Sequence, residues 1–282
     1  MTAPAARVLA VCADDVGLVE GVAETILDLA GEGRLNAASC VTTAPGWRRD
    51  ATLLASDRRT PQLGLHFNLS EGAPLSAALA AHWPTLPSLG RLLVLAHLGR
   101  LPVAAIEAEF RAQADAFADG VGRLPAFVDG HQHVHALPGV RVAVLAAIAR
   151  WPTPTAVRNT GRPLGPGAAF KRAVIAASGG RALQRALVAR GIAHNRVLLG
   201  AYDFGGDYRR LMQAWLGRAP REGGLVFCHP CAAAPRDGDA DPIAAARRRE
   251  AAYLASDGFV EDRAAAGVTL GAAWATRSSS AG

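Results

Sequence analysis

Hydrophobic and polar positions along the chain switch between two periods, and each switch marks an element boundary. Residues 7–13 form a short apolar run that stops at a pair of acids, which predicts a buried strand. Val22, Ile26 and Leu29 then recur at helical spacing and Gly31 and Gly33 end the pattern, so a helix is expected over 19–33. Residues 37–43 and 62–69 read as a second and a third strand. The stretch 70–103, rich in Pro and Gly, carries no long periodicity; it predicts an excursion over one end of the domain with a short helix near 92–97. The pattern then resumes with a helix at 104–120, a strand at 126–129, a helix at 139–150 and a strand at 156–158. A helix at 168–190, broken at Gly179-Gly180, precedes a strand at 196–201, a helix at 207–216, a strand at 225–228, a helix at 241–255 and a closing strand at 268–270.

Strand then helix, seven or eight times over, is the pattern of a parallel barrel. The expectation is an α/β fold, a single-domain (β/α) barrel variant of about seven strands, TIM-barrel-like, over residues 1–275, with the Ser-rich tail 276–282 disordered. An open doubly wound sheet is the alternative. No Gly-x-Gly-x-x-Gly follows the first strand, which weakens any dinucleotide-binding reading.

Composition narrows the class. With 282 residues, 50% of them hydrophobic, the chain can bury a sizeable core. No uninterrupted apolar run reaches membrane-spanning length, so no span is expected. The opening "MTAPAARVLAVCADD" lacks a charged leader region and cleavage site, and four cysteines do not make a disulfide framework; a cytoplasmic location is the default expectation. The net charge of +6 raises nucleic-acid binding. However, the basic residues are scattered arginines, only Lys171 is a lysine, and no recognition motif accompanies them, so no nucleic-acid partner is expected.

Candidate chemistry sits where strands end, the place a barrel gathers its reactive groups. Those ends read Asp14-Asp15, Thr42-Thr43, His66-Phe67-Asn68, Asp129-Gly130-His131, Arg158-Asn159, Asp203 and His229. In "DGHQHVHALP", His131, His133 and His135 alternate, so on an extended segment they share one face. Three histidines beside an Asp, with His66 ending an earlier strand, favour a metal site over capping histidines. His82, His97 and His194 have no such company and read as background. The adjacent acids then make sense: one carboxylate for the cation, its neighbour as a base for a bound water, their repulsion relieved by the metal. Consecutive residues of an extended strand point to opposite sides, so the two should aim differently. A helix N-cap role stays open for either. "CHPC" at 228–231 raises a redox pair or half a zinc site, but a loop-like stretch follows it and no second cysteine pair exists. His229 is the more informative residue there.

Taken together, these pieces resemble the YdjC-like carbohydrate deacetylase family, which includes chito-oligosaccharide and hopanoid-associated deacetylases. "ADDVG" at 13–17 resembles the family's Ala-Asp-Asp-Phe-Gly, and "GLHFNLSEGAPL" at 64–75 its Gly-x-His-x-x-Leu-Thr-x-Gly-x-Pro-Leu. "VDGHQHVHALP" at 128–138 resembles its Asp-Ser-His-x-His-Val-His, and "CHP" at 228–230 with "RRREAAYLAS" at 247–256 its late His-Pro and Arg-x-x-Glu-x-x-x-Leu. Val16 and Gly130 depart from the usual Phe and Ser. The resemblance implies a (β/α) barrel variant and a metal-dependent hydrolase that removes an N-acetyl group from an amino sugar or N-acetylated oligosaccharide. It implies Asp15, His66 and His131 as ligands of one divalent metal, Asp14 as base and His229 as acid. His133, His135 and Arg158 would contact the substrate. Mg²⁺ or Zn²⁺ suits such a set, and Mn²⁺ or Co²⁺ is tolerated. A homodimer follows by analogy only. The rivals are a phosphoesterase-type metal hydrolase on the same barrel and a vestigial sugar-binding protein.

Overall fold

A computed structural model describes residues 7–234 and 241–274 of the chain; the tail 276–282 lies outside the described residues. In chain order the elements are β1 (Arg7–Val16), α1 (Val22–Gly31), β2 (Ala37–Cys40), α2 (Trp47–Ser56), β3 (Gln62–Phe67), α3 (Ala77–Ala80), α4 (Leu89–His97), α5 (Val103–Val121), β4 (Phe127–Gly130), α6 (Val140–Ile148), β5 (Ala156–Val157), α7 (Ala169–Ile175), α8 (Arg181–Ala189), β6 (Val197–Leu199), α9 (Tyr208–Leu216), β7 (Gly224–Cys228), α10 (Ala244–Ala255), α11 (Asp257–Ala265) and β8 (Val268–Leu270). A 3-10 turn, His131–Ala136, follows β4, and a π-helical stretch, Ala176–Gly180, joins α7 to α8 at the expected glycine break.

Every strand pairing is parallel, and the path β5-β4-β3-β2-β1-β7-β6 is chain order around a ring. β8 pairs with the first residues of β1, Arg7 against Val268. The two edges are drawn together by a parallel bridge between Val157 and His194. Asn159 and Asn195, both fully buried, reinforce it by exchanging side-chain and backbone hydrogen bonds of 2.7–3.1 Å. Buried amide groups do there what a strand ladder does elsewhere, because unpaired backbone polar groups in a core are costly. The result is the expected single α/β domain: seven parallel strands curled into a half-barrel, not an open doubly wound sheet.

Period-two alternation decides what enters the curl. Leu9, Val11 and Ala13 belong to the large core shared with the helices, whereas Ala10 and Cys12 belong to a smaller inner cluster with Phe127, Ala156, Leu198, Leu225 and Phe227. Continuing the inner parity past these apolar residues gives Asp14 on β1, Ser39 on β2, His66 on β3, Asp129 on β4, Arg158 after β5 and His229 after β7. One layer of the interior is apolar and the next, toward the strands' carboxyl ends, is polar.

Three helices escaped the sequence reading: α2, the four-residue α3 and α11. α2 buries Trp47, Asp50, Ala51 and Leu54 at helical spacing within a mostly polar stretch, and α11 buries only Phe259. α1 starts three residues later than expected because Gly17 and Gly21 adopt φ of 90° and 88° in the turn before it. At Gly17 a side chain would also meet the carbonyl of Val41 at 3.0 Å, so this turn needs glycine. Among the described residues, no helix is long and apolar enough to cross a membrane.

Candidate metal and catalytic site

The polar layer opens into a cavity of about 820 Å³ at the carboxyl ends of the strands. Its floor holds Asp14, Asp15, His66, His131, His133 and His229; its walls are largely apolar, with Leu89, Leu93, Leu137, Phe170 and Val174.

Asp15, His66 and His131 each offer one ligand atom, and these atoms lie within 4.8 Å of one another. Asp15 Oδ1 is 3.6 Å from His66 Nε2 and 3.2 Å from His131 Nδ1. All three side chains are buried. His66 Nδ1 is anchored 2.7 Å from Asp129 Oδ1, which also accepts the Ser39 hydroxyl. That contact leaves Nε2 turned toward Asp15, the way a carboxylate fixes the orientation of a metal-binding imidazole.

The acid pair is not arranged as an extended strand would arrange it. Asp15 has φ 72° and the pairing of β1 with β2 slips between Ala13 and Val16. Alternation alone would send Asp15 outward among the helices. The bulge turns it back, so both carboxylates line the cavity. The expectation that they face opposite sides is corrected by this one residue's backbone. Gly17, two positions on, donates its N–H to buried Asp50 at 3.0 Å and holds the turn.

The three alternating histidines do not share a face either. Gln132 and His133 take left-handed backbone angles (φ 51° and 62°), which wind the segment into a turn. His131 faces Asp15, and its Nε2 reaches Glu71 Oε1 at 3.0 Å. His133 lines the cavity, edge-on to Phe227 with centroids 5.4 Å apart. His135 is fully buried behind the cavity, its Nε2 donating to the Arg158 carbonyl at 2.8 Å, so the expectation that it lines the site is not met. Gly130 makes room for it: a Cβ there would stand 2.8 Å from His135 Nδ1.

Arg158 is likewise corrected. It does not reach a rim where substrate could meet it; its guanidinium has 0% exposure. It grips Asp14 in a two-pronged pair, Nη1 to Oδ2 at 2.7 Å and Nη2 to Oδ1 at 2.6 Å. Nη2 also lies 2.5 Å from Asp129 Oδ2, an ionic contact without the alignment of a good hydrogen bond. A second cluster that could hold a cation, Cys12, Asp14 and Asp129, is therefore filled by this guanidinium.

Sequence reasoning gave no role to Asp129, Ser39, Glu71, Arg247 or Glu250. Arg247, from the late Arg-x-x-Glu motif, donates to Asp15 Oδ2 at 2.7 Å and to Asp241 at 2.8 Å. Glu250, one turn on, accepts the His229 backbone N–H and the Tyr202 hydroxyl. The motif's spacing was visible, but contacts across more than 200 residues, such as Arg247 to Asp15, leave no local trace.

Electrostatics follow the contacts. Burial works to raise Asp15, but His131, His229 and Arg247 hold it well below the usual carboxylate range. Burial likewise opposes Asp129, whose pKa is depressed by Arg158, His66 and Ser39. For His131, burial is outweighed by Asp15 and Glu71, and its pKa rises to about 10. Burial pushes His229 and His135 down to about 4 and His133 well below the ordinary histidine value. It also pushes Glu250 up to about 7. Cys12, Cys40, Cys228 and Cys231 are all free and buried, and burial raises every thiol.

A family model described as YdjC-like protein matches residues 8–265. The chain belongs to that family. Curated relatives include a carbohydrate deacetylase of Danio rerio, 38% identical over 141 residues, 47% of this chain and 44% of that protein. Another is a chitooligosaccharide deacetylase of Klebsiella pneumoniae (strain 342), 35% identical over 150 residues, 51% of this chain and 56% of that protein. The matched stretch spans about half the length of these relatives. Among solved structures, one from Enterococcus faecalis V583, described as a candidate cellobiose-phosphate cleavage protein, superposes with a TM-score of 0.74 at 17% identity. It covers 94% of this chain and 97% of its own, so the YdjC-like chain shares its fold.

Proposed function

We propose that this YdjC-like chain is a metal-dependent hydrolase that removes an N-acetyl group from an amino sugar or N-acetylated oligosaccharide. The observation that carries the reading is the Asp15–His66–His131 cluster on a cavity floor that also bears Asp14 and His229. The names of the curated relatives supply the substrate class.

The donor set fits a divalent cation: one carboxylate and two imidazoles, with His66 already oriented by Asp129. Such a cation, when bound, supplies Lewis acidity and a more acidic water. The chain's own residues do the rest. Asp14 takes the proton of the attacking water; Arg158 occupies one lone pair of each of its oxygens, the Cys12 thiol also donates to Oδ1, and Oδ2 keeps a lone pair free. Arg158 also keeps Asp14 fixed close to Asp15. His229 delivers a proton to the leaving nitrogen. Burial lowers its pKa to about 4, so it enters the reaction neutral, and the proton it delivers is the one Asp14 removes from the water. Glu250 holds the His229 backbone in place, and Arg247 holds Asp15. His133 contacts the sugar from the cavity floor.

A two-metal phosphoesterase is disfavoured because the second cation position is taken by Arg158. The test is acetate release from di-N-acetylchitobiose by the purified protein with added Zn²⁺ or Mg²⁺, against the same protein in EDTA. Metal-dependent acetate release is expected. Release unaffected by exhaustive chelation would overturn the metal role, and hydrolysis of a phosphate ester without acetate release would overturn the reaction.

A further inference from the structure

The chain uses Lys or Arg 30 times, and lysine once. That one lysine, Lys171 on α7, lines the cavity. Its surroundings set it apart from the other cations near the site. Arg158 is fully buried and committed to Asp14 and Asp129. Arg247 spends Nε on Asp241, Nη2 on Asp15 and Nη1 on the His229 carbonyl. Lys171 gives one hydrogen bond, Nζ to the Tyr202 carbonyl at 2.8 Å, and rests 4.4 Å above the Phe204 ring. An ammonium has three donors, so two N–H groups have no protein acceptor among the described residues. Burial lowers the Lys171 pKa; Asp203 and Glu250 oppose this through space, and neither is hydrogen-bonded to it.

We propose that Lys171 is the cation that binds the substrate, its two unspent N–H groups donating to hydroxyl or acetal oxygens of the sugar that carries the acetamide. This rests on the deacetylase reading above and assigns the contact expected of Arg158 to a different residue. The chemistry suits the place. A sugar presents oxygens in several directions, and a compact ammonium on a flexible stem can follow them, where a planar guanidinium demands a matched fork. The half-buried setting and the single backbone anchor hold the head group over the cavity without saturating it. Because the contact is made equally in bound substrate and transition state, losing it should weaken binding more than turnover.

Two measurements test it. Acetate release from di-N-acetylchitobiose by Lys171→Met should show KM raised roughly 10- to 100-fold, the worth of a hydrogen bond from a charged donor, with kcat within about twofold. Lys171→Arg should fall between. A merely structural lysine would lower Tm and leave KM alone, which would overturn the proposal. The second measurement uses the residue's uniqueness. Expression on ¹³C,¹⁵N-lysine labels this one side chain without altering its N–H groups, and Lys171→Arg identifies its signal. Addition of di-N-acetylchitobiose to the labelled wild type should shift that resonance saturably, whether or not acetate release is detected. A shift without any acetate release would sink the deacetylase reading and leave the binding role standing. Normal acetate release with an unmoved resonance and an unchanged KM would sink the role of Lys171 alone.

Discussion

Replacing Arg158 tests the electrostatic centre of the structure. The guanidinium is completely buried and is the counter-charge for two carboxylates that are themselves almost or fully buried, Asp14 at 2% and Asp129 at 0% exposure. Arg158→Met keeps the length and apolar stem but strands both acids. Removing one partner of a buried pair costs about 3–5 kcal/mol, chiefly because the remaining charge has lost its water and its partner. For a domain of this size each kcal/mol moves Tm by about 2–4 °C, so Tm should fall by roughly 6–20 °C. The pH response should change too. Arg158 helps depress the Asp129 pKa, so wild-type stability from this group is complete above the unfolded value of about 4 and is lost as pH falls below it. Without Arg158, burial of Asp129 acts unopposed by that charge, and mild acidification from neutral pH should stabilise the variant relative to wild type. Urea unfolding followed by circular dichroism, on chelated protein so that metal binding does not enter, measures both. The variant Arg158→Met/Asp14→Asn/Asp129→Asn, which removes the stranded charges, should recover much of the loss. A single variant within about 1 kcal/mol of wild type, or a triple variant no better than the single, would refute the reasoning.

Other outcomes follow from the same geometry. Asp15→Asn should weaken metal binding, with activity partly restored by excess metal, whereas Asp14→Asn should keep its metal and lose roughly 10²–10⁴-fold in kcat without rescue; metal content by elemental analysis separates them. Asp129→Ala removes the acceptor that anchors His66 Nδ1 and should cost roughly 10–100-fold in metal affinity by equilibrium titration. In the metal-free protein His131 is protonated up to a pKa of about 10, so its contribution to stability is complete below about 6.5 and is lost as pH rises through 10; metal should bind more tightly with rising pH and release a proton on binding, as calorimetry in buffers of different ionisation enthalpy would show. Cys228→Ser with Cys231→Ser should leave turnover nearly unchanged, since both thiols are buried and held protonated; abolished activity in a folded, metal-replete variant would return sulfur to the mechanism.

Much of this protein was settled by the order of residues alone. The alternation of strand and helix patterns gave the curled parallel sheet, because each strand of a βα unit is buried on both faces and each helix on one. The parity of Ala10, Cys12 and Asp14, or of Phe127 and Asp129, places polar side chains inside the curl without reference to any distant residue. Strand ends therefore pointed to Asp14, Asp15, His66, His131 and His229, and the structure brings all five to one cavity. Local geometry failed where the backbone left its regular state. Asp15 at φ 72° and the left-handed pair Gln132-His133 reverse what alternation dictates, and such angles in non-glycine residues persist only when surrounding contacts hold them. Contacts between distant segments decided the rest. Arg158 reads as a surface cation at a strand end until Asp14, 144 positions earlier, and Asp129 close around it. Lys171 is one residue in a helical stretch until α7 turns it over the same cavity. The sequence names which groups are chemically able; only the packing of the chain decides which of them are spent on one another and which remain free for a ligand.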